Sequence, residues 1–183
     1  MNQALIIVDI QNDYFPGGKM ELVGMEAASQ KAQRVLELFR TKDIPIFHIQ
    51  HISNRPGATF FLPETGGAEI HKSVNPKSGE PVIQKHFPNC FMATSLQDQL
   101  SDLGVEEIIF CGAMSHMCID TTVRAAFELG FRCILVSDAC ATRNLKFGGI
   151  TIEASHVHAA FMAALSAPFA QVVEAKKIES LLV

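Results

Sequence analysis

Two spacings of apolar residues alternate along this chain. Ala4-Leu-Ile-Ile-Val8 is an unbroken apolar run that stops abruptly at Asp9, the pattern of a strand buried on both faces of a parallel sheet. From Glu26 onward Ala28, Ala32, Val35, Leu36 and Phe39 recur at helical intervals, predicting an amphipathic helix that ends near Lys42. A second strand is expected over Ile44 to Gln50. Residues 53 to 80 are rich in Gly and Pro and keep no period, which predicts a long irregular excursion before a short strand at Pro81 to Gln84. A helix with Leu96, Leu100 and Leu103 on one face comes next, then a strand from Val105 to Cys111 that Gly112 breaks. The spacing predicts helices from about His116 to Leu129 and from Ile150 to Leu165. Strands are expected at Phe131 to Ser137 and Phe169 to Val173, followed by a short amphipathic tail.

Strands alternating with helices over the whole length imply one α/β domain spanning residues 1–183: a three-layer α-β-α sandwich around a doubly wound, mostly parallel sheet. Six strands in the Rossmann-like order 3-2-1-4-5-6 are expected. In such sheets ligands bind beyond the carboxyl ends of the strands, where the strand order reverses. Asp9 after the first strand, Lys85 after the third and Cys118 after the fourth would all meet there.

Composition narrows the partners. A chain of 183 residues that is 48% apolar can build a sizeable core without metal or disulfide staples. Its 15 basic and 19 acidic residues, net charge −4, form no long runs and leave no footprint for nucleic acid or an anionic membrane. A small-molecule substrate is the expected partner. The five cysteines, at 90, 111, 118, 133 and 140, are odd in number and several lie in strand-like runs, so a reducing cytoplasm is expected rather than a secreted disulfide framework. No basic region precedes the Ala4 to Val8 run, which is too short for a signal core or a membrane span.

Cys118 sits where a strand turns into a helix. A thiol in the first helical turn meets unpaired backbone N–H groups and the positive end of the macrodipole, which favour thiolate and suit a nucleophile. The competing reading is a buried small apolar residue. Asp9, directly after five apolar residues, is costly there unless paired or working; otherwise it is a helix cap or a solvated acid. Lys85 precedes Phe87, Pro88 and Phe91 and is either held against an aromatic wall or simply exposed. Brought together, Asp9 would take the thiol proton, Lys85 would stabilise thiolate and carboxylate, and Cys118 would attack an electrophilic carbon. Backbone N–H groups of Met114 and Cys118 would form an oxyanion hole.

Four motifs in order carry a resemblance over nearly the whole chain: Val8-Asp9-Ile-Gln11-Asn-Asp13; Lys85 with Phe91 and Thr94-Ser-Leu96; Gly112-Ala-Met-Ser-His-Met-Cys118-Ile-Asp120-Thr-Thr-Val-Arg124-Ala-Ala; and Ser137-Asp138-Ala-Cys-Ala-Thr142. They resemble the isochorismatase-like cysteine hydrolases, a group that includes nicotinamidases, carbamoylsarcosine amidases and isochorismatases. The resemblance implies an Asp9–Lys85–Cys118 catalytic triad and a cis peptide between Ala113 and Met114. It also implies hydrolysis of an amide-like C–N bond through a thioester, or alternatively cleavage of a vinyl ether, in a branch whose members can lack the nucleophilic cysteine. Nicotinamidases of this group hold a metal through an Asp-x-His and a further His. Here the comparable stretch, His48 to Pro56, has no Asp-x-His, and His48 and His51, three apart on a strand, point to opposite faces. No metal and no cofactor are therefore expected. Relatives of this kind are commonly homo-oligomers, dimers or tetramers, and Phe60 to Thr65 are expected to reach across an interface.

Further expectations attach to single residues. Gln11, Tyr14 and Phe15 are expected to line the pocket, His51 and His116 to face the substrate, and Phe60, Phe61 and Phe87 to form an apolar lid or fill core. Asp13 reads as a loop acid, Asp138 as a brace after its strand, and Arg124 as the partner of an acid on its helix. His156 and His158 read as packing or subunit-contact residues. Outside enzymes, the same sheet with acids after strand one and a lysine on another strand end suits a non-catalytic binding or signalling module, which has no use for Cys118 in its turn.

Overall fold

The protein, described over residues 2–182 by a computed structural model, is built on a six-stranded sheet. Its strands are β1 (Gln3–Val8), β2 (Ile46–His51), β3 (Val82–Lys85), β4 (Glu107–Ala113), β5 (Arg132–Ala141) and β8 (Gln171–Val173). They lie in the order β3-β2-β1-β4-β5-β8, and every pairing is parallel. This is the expected doubly wound order, with the last strand of the chain in sixth place. Helix α1 (Met25–Thr41) covers one face; α2 (Leu96–Asp102), α3 (Asp120–Glu128) and α4 (Ala154–Leu165) belong to the other.

The unbroken apolar run of β1 is explained by that layering. Leu5 and Ile7 pack with Ala32, Leu36 and Phe39 of α1, while Ala4, Ile6 and Val8 pack with Leu96, Leu100, Val123 and Ala126 of the opposite layer. Full burial of a side chain such as Leu36 or Phe39 contributes about 1.5–3 kcal/mol, so the α1 stripe holds its layer without help from its polar face.

Three elements depart from the sequence pattern. Residues 150–152, expected to open a helix, form β7 (Ile150–Ile152) of a hairpin with β6 (Leu145–Phe147). Gly148 and Gly149, both at positive φ, make the turn that the helical reading overlooked. Leu103 lies past the end of α2 and is half exposed rather than on its buried face. Before α3, residues Ser115–Ile119 form a widened π turn in which the Met114 carbonyl accepts from the Met117 and Ile119 N–H groups.

The excursion after β2 is irregular as expected, with short 3-10 turns at Gly66–Ala68 and Lys72–Val74. Its far end is pinned by Glu80, which accepts two hydrogen bonds from Arg40 at 2.7 and 2.8 Å, with His48 Nε2 a further 2.8 Å away. The Arg40 hydrogen bond, opposed by burial, holds the Glu80 carboxyl down at about 2. Among the described residues no helix is long and apolar enough to cross a membrane.

Gly112 sets how closely β4 approaches β1. It pairs with Val8 at φ +127°, and a Cβ there would overlap the Val8 carbonyl. Gly112→Ala is expected to destabilise the fold by more than about 2 kcal/mol in chemical denaturation. Glu80 supplies a pH test. Because its folded pKa lies below the unfolded value, its contribution is present above about pH 4.5 and is lost as the pH falls toward 2. The melting temperature of Glu80→Gln should trail that of the natural protein by several degrees at pH 7 and converge with it near pH 2.

Candidate active site

β1 and β4 are the strands between which the order reverses, and the three residues singled out in the sequence meet beyond their carboxyl ends. Asp9 follows β1 at φ +51°, a left-handed conformation that Asp tolerates better than most residues, and its N–H is tied to the Ile49 carbonyl of β2. Lys85 closes β3 in register with His51 of β2. Cys118 sits in the π turn after β4.

The Lys85 ammonium joins them. Nζ lies 2.7 Å from Asp9 Oδ2, 2.9 Å from His51 Nδ1, 3.2 Å from the Phe87 carbonyl and 3.3 Å from Cys118 Sγ. An ammonium has three N–H bonds, so four acceptors share them. Both charged side chains of the Asp9–Lys85 pair are fully buried. Burial by itself would neutralise the lysine, but the Asp9 carboxylate and the Cys118 sulfur outweigh it and hold the Lys85 pKa above the usual lysine value. Burial and the Lys85 charge push His51 down to about 4. His51 Nδ1 therefore accepts from Lys85, and its proton stays on Nε2, which has no protein partner among the described residues.

The thiol departs from the sequence expectation. A helix start favours thiolate, yet burial and the neighbouring Asp9 carboxylate push the Cys118 thiol well above its ordinary value, and Lys85 only partly opposes them. Cys118 rests as a thiol. The second Asp9 oxygen, Oδ1, is buried without a hydrogen-bond partner, leaving it open as a proton acceptor.

A cavity of about 120 Å³ ends at Cys118. Tyr14, Phe60, Phe61, Pro88, Met114 and Met117 give it apolar walls, and His51, Ser53, Asn54, Arg55 and His86 add polar groups. Of the predicted lining residues, Tyr14, His51 and Phe60 are here. Four others are not. Gln11 is fully buried and works as a clamp, donating to the His51 and Ala68 carbonyls and accepting from the His51 N–H. Phe15 is stacked on His71 instead. Phe87 turns outward and offers only its carbonyl to Lys85. His116 pairs with the Thr142 hydroxyl.

Phe60 and Phe61, expected to form an apolar lid or fill core, line this chain's own cavity and pack against its core. Asp13, read as a loop acid, is buried and accepts at 2.7 Å from the N–H of Phe61, a residue held at φ +54°. Ser53, Asn54, Arg55, His86 and Met117 line the cavity without any periodic signal in the sequence. Among the other readings, Arg124 pairs with Asp120 four residues away, Asp138 accepts from the Ala175 N–H, and His158 meets the Ser115 hydroxyl. The Ala113–Met114 peptide is cis.

Asp9, His51 and Cys118 offer ligand atoms within 4.8 Å of one another, a spacing that suits a metal ion. The Lys85 ammonium is hydrogen-bonded to all three and would repel a cation at their centre. His48 cannot complete a set with His51, because it faces away to pair with Glu80.

A family profile described as the isochorismatase domain matches residues 3–177. The isochorismatase family protein YddQ of Bacillus subtilis, whose function is uncharacterised, is 52% identical over 172 residues, covering 94% of this chain and 96% of that protein. The N-carbamoylsarcosine amidase of an Arthrobacter species is 27% identical over 157 residues, 76% of this chain and 60% of the relative. Among solved structures, one assigned as an isochorismatase hydrolase from Oleispira antarctica superposes with a TM-score of 0.94 at 44% identity, over 98% of this chain and 96% of that one.

The two charges beside the thiol act in opposite senses, and this is testable in single variants. Burial raises the Cys118 pKa and Asp9 adds to it, so Asp9→Asn is expected to lower that pKa while Lys85→Met raises it further. Ultraviolet thiolate absorbance against pH, taken as the difference from the same protein carrying Cys118→Ala, measures both.

Proposed function

The chain belongs to the isochorismatase family, and from that premise we propose that it is a hydrolase that cleaves an amide-like C–N bond of a small molecule through a thioester on Cys118. The observation that carries the reading is the Lys85 ammonium bridging Asp9 and the Cys118 sulfur, with Asp9 Oδ1 left unpartnered. The N-carbamoylsarcosine amidase relative supports a C–N bond as the target.

In this mechanism Asp9 takes the Cys118 proton as the sulfur attacks the substrate carbonyl carbon, so that thiolate character develops only when a substrate is in place. The raised thiol pKa at rest fits such coupled transfer. Lys85 holds the carboxylate in position and offsets the charge that builds on sulfur. Negative charge on the carbonyl oxygen is taken by the backbone N–H groups of Met114 and Cys118, the latter passed over by the Met114 carbonyl in the widened turn. Asp9 then gives its proton to the leaving amine as the C–N bond breaks. Water, deprotonated by the same carboxylate, attacks the thioester, and a carboxylic acid leaves as the proton returns to sulfur. The ammonium held among Asp9, His51 and Cys118 favours chemistry without a resident metal.

The cavity is small, about 120 Å³ against the roughly 300–1,000 Å³ typical of drug-sized ligands. That favours a compact substrate. A vinyl-ether substrate would need no thioester, and a binding module would need no reactive thiol.

Ammonia release over a panel of small amides tests the proposal. The natural protein is expected to turn over at least one of them, with a loss of roughly a thousandfold or more in both Cys118→Ala and Lys85→Met. Mass spectrometry of quenched reactions should find the acyl group on Cys118. Undiminished turnover by Cys118→Ala would sink the thioester mechanism.

A further inference from the structure

We infer that the substrate of this site is an anion, a short amide bearing a carboxylate a few bonds from the scissile carbonyl, and that Arg55 is the residue that seats it. The inference rests on the hydrolase reading above and adds the class of molecule.

The cavity wall carries one formal positive charge, Arg55, and among the described residues no acid lines it. The acid that does lie at its end, Asp9, is already committed to Lys85 at 2.7 Å. Arg40, Arg124 and Arg132 each lie against a carboxylate of this chain, whereas the side chain of Arg55, an exposed residue, has neither an acid nor a hydrogen-bond partner among the described residues. Its fork of N–H donors is therefore free, with Ser53 and Asn54 beside it on the same wall.

A second guanidinium lies within electrostatic reach of the cavity wall. Arg143 is half buried, its Nε is sealed from solvent without a partner, and its charge reaches Tyr14 on the cavity wall. Arg55 likewise contributes to the field that keeps His51 neutral. Among the described residues neither Arg55 nor Arg143 forms an ion pair with a carboxylate, so an anion in the cavity would draw on both charges and a neutral ligand on neither. Guanidinium and carboxylate meet through paired, charge-assisted hydrogen bonds, a geometry the ammonium of lysine does not reproduce. The cavity volume limits the distance between the anion and the reacting carbonyl to a short chain.

The test compares succinamate with its methyl ester, which has the same amide but no charge, by ammonia release from the natural protein, Arg55→Gln and Arg55→Lys. The acid is expected to exceed the ester by about 10- to 100-fold in kcat/KM, mostly through KM. Arg55→Gln should bring that ratio close to one, and Arg55→Lys should retain part of it. A second measurement needs no turnover: succinamate should slow alkylation of Cys118 by iodoacetamide in the natural protein and not in Arg55→Gln. An ester used as well as the acid, or a ratio untouched by Arg55→Gln, overturns the inference and leaves the hydrolase reading standing. Protection that depends on Arg55 without ammonia release from any amide upholds the anion site and removes the hydrolase. Neither turnover nor protection overturns both.

Discussion

A lysine ammonium without solvent contact is the constraint around which this molecule is arranged. An unpaired charge at that depth would cost several kcal/mol, and even a paired one gains little net stability over a well-packed apolar substitute. Lys85 is supplied with a carboxylate, an imidazole nitrogen, a carbonyl and a sulfur, each from a different part of the chain. The ends of β1, β2, β3 and the turn after β4 are thereby tied to one point. Removing one partner leaves the others charged or orphaned in a dry interior, so the group behaves as a unit.

The same arrangement decides the protonation states. Burial, together with the carboxylate that keeps Lys85 charged, keeps Cys118 protonated, and burial together with the charge on Lys85 keeps His51 neutral. A resting thiol beside an acceptor oxygen is less exposed to adventitious oxidation or alkylation than a standing thiolate, because the thiolate is the reactive form. Around this centre a layer of hydrogen bonds holds the irregular excursion in place. Gln11 links β2 to Ala68, and Asp13 fixes the Phe61 backbone in a left-handed conformation that a phenylalanine would not adopt unaided. The long loop is irregular in sequence but closely bonded in space.

Much of the architecture is legible in the chain. The apolar runs of β1 and β4 and the α1 stripe follow from burial on both faces of a parallel sheet, and the glycine at 112 and the thiol at 118 mark the turn between strand and helix. The misreadings have local causes. Ile150-Thr-Ile continues the helical pattern beside it by spacing alone, although Gly148-Gly149 just before carries a hairpin signal. Leu103 fits a helical interval, but α2 has ended before it. Gln11 and Phe15 lie close to Asp9 in sequence, which suggests its cavity for them, yet the chain turns after Asp9 and directs them to His51 and His71.

By itself, then, the order of residues determines the layered sheet, the succession of its strands and the three polar residues stranded at apolar strand ends, because burial acts on periodic patterns that a linear chain carries openly. Tertiary structure alone decides that Cys118 keeps its proton, that Asp13 and Gln11 brace the loop through buried hydrogen bonds, and that Arg55 and Cys118 line one small cavity. Those properties depend on Coulomb fields and desolvation between groups tens of residues apart, and on which acceptors remain unclaimed after folding; no local spacing encodes either.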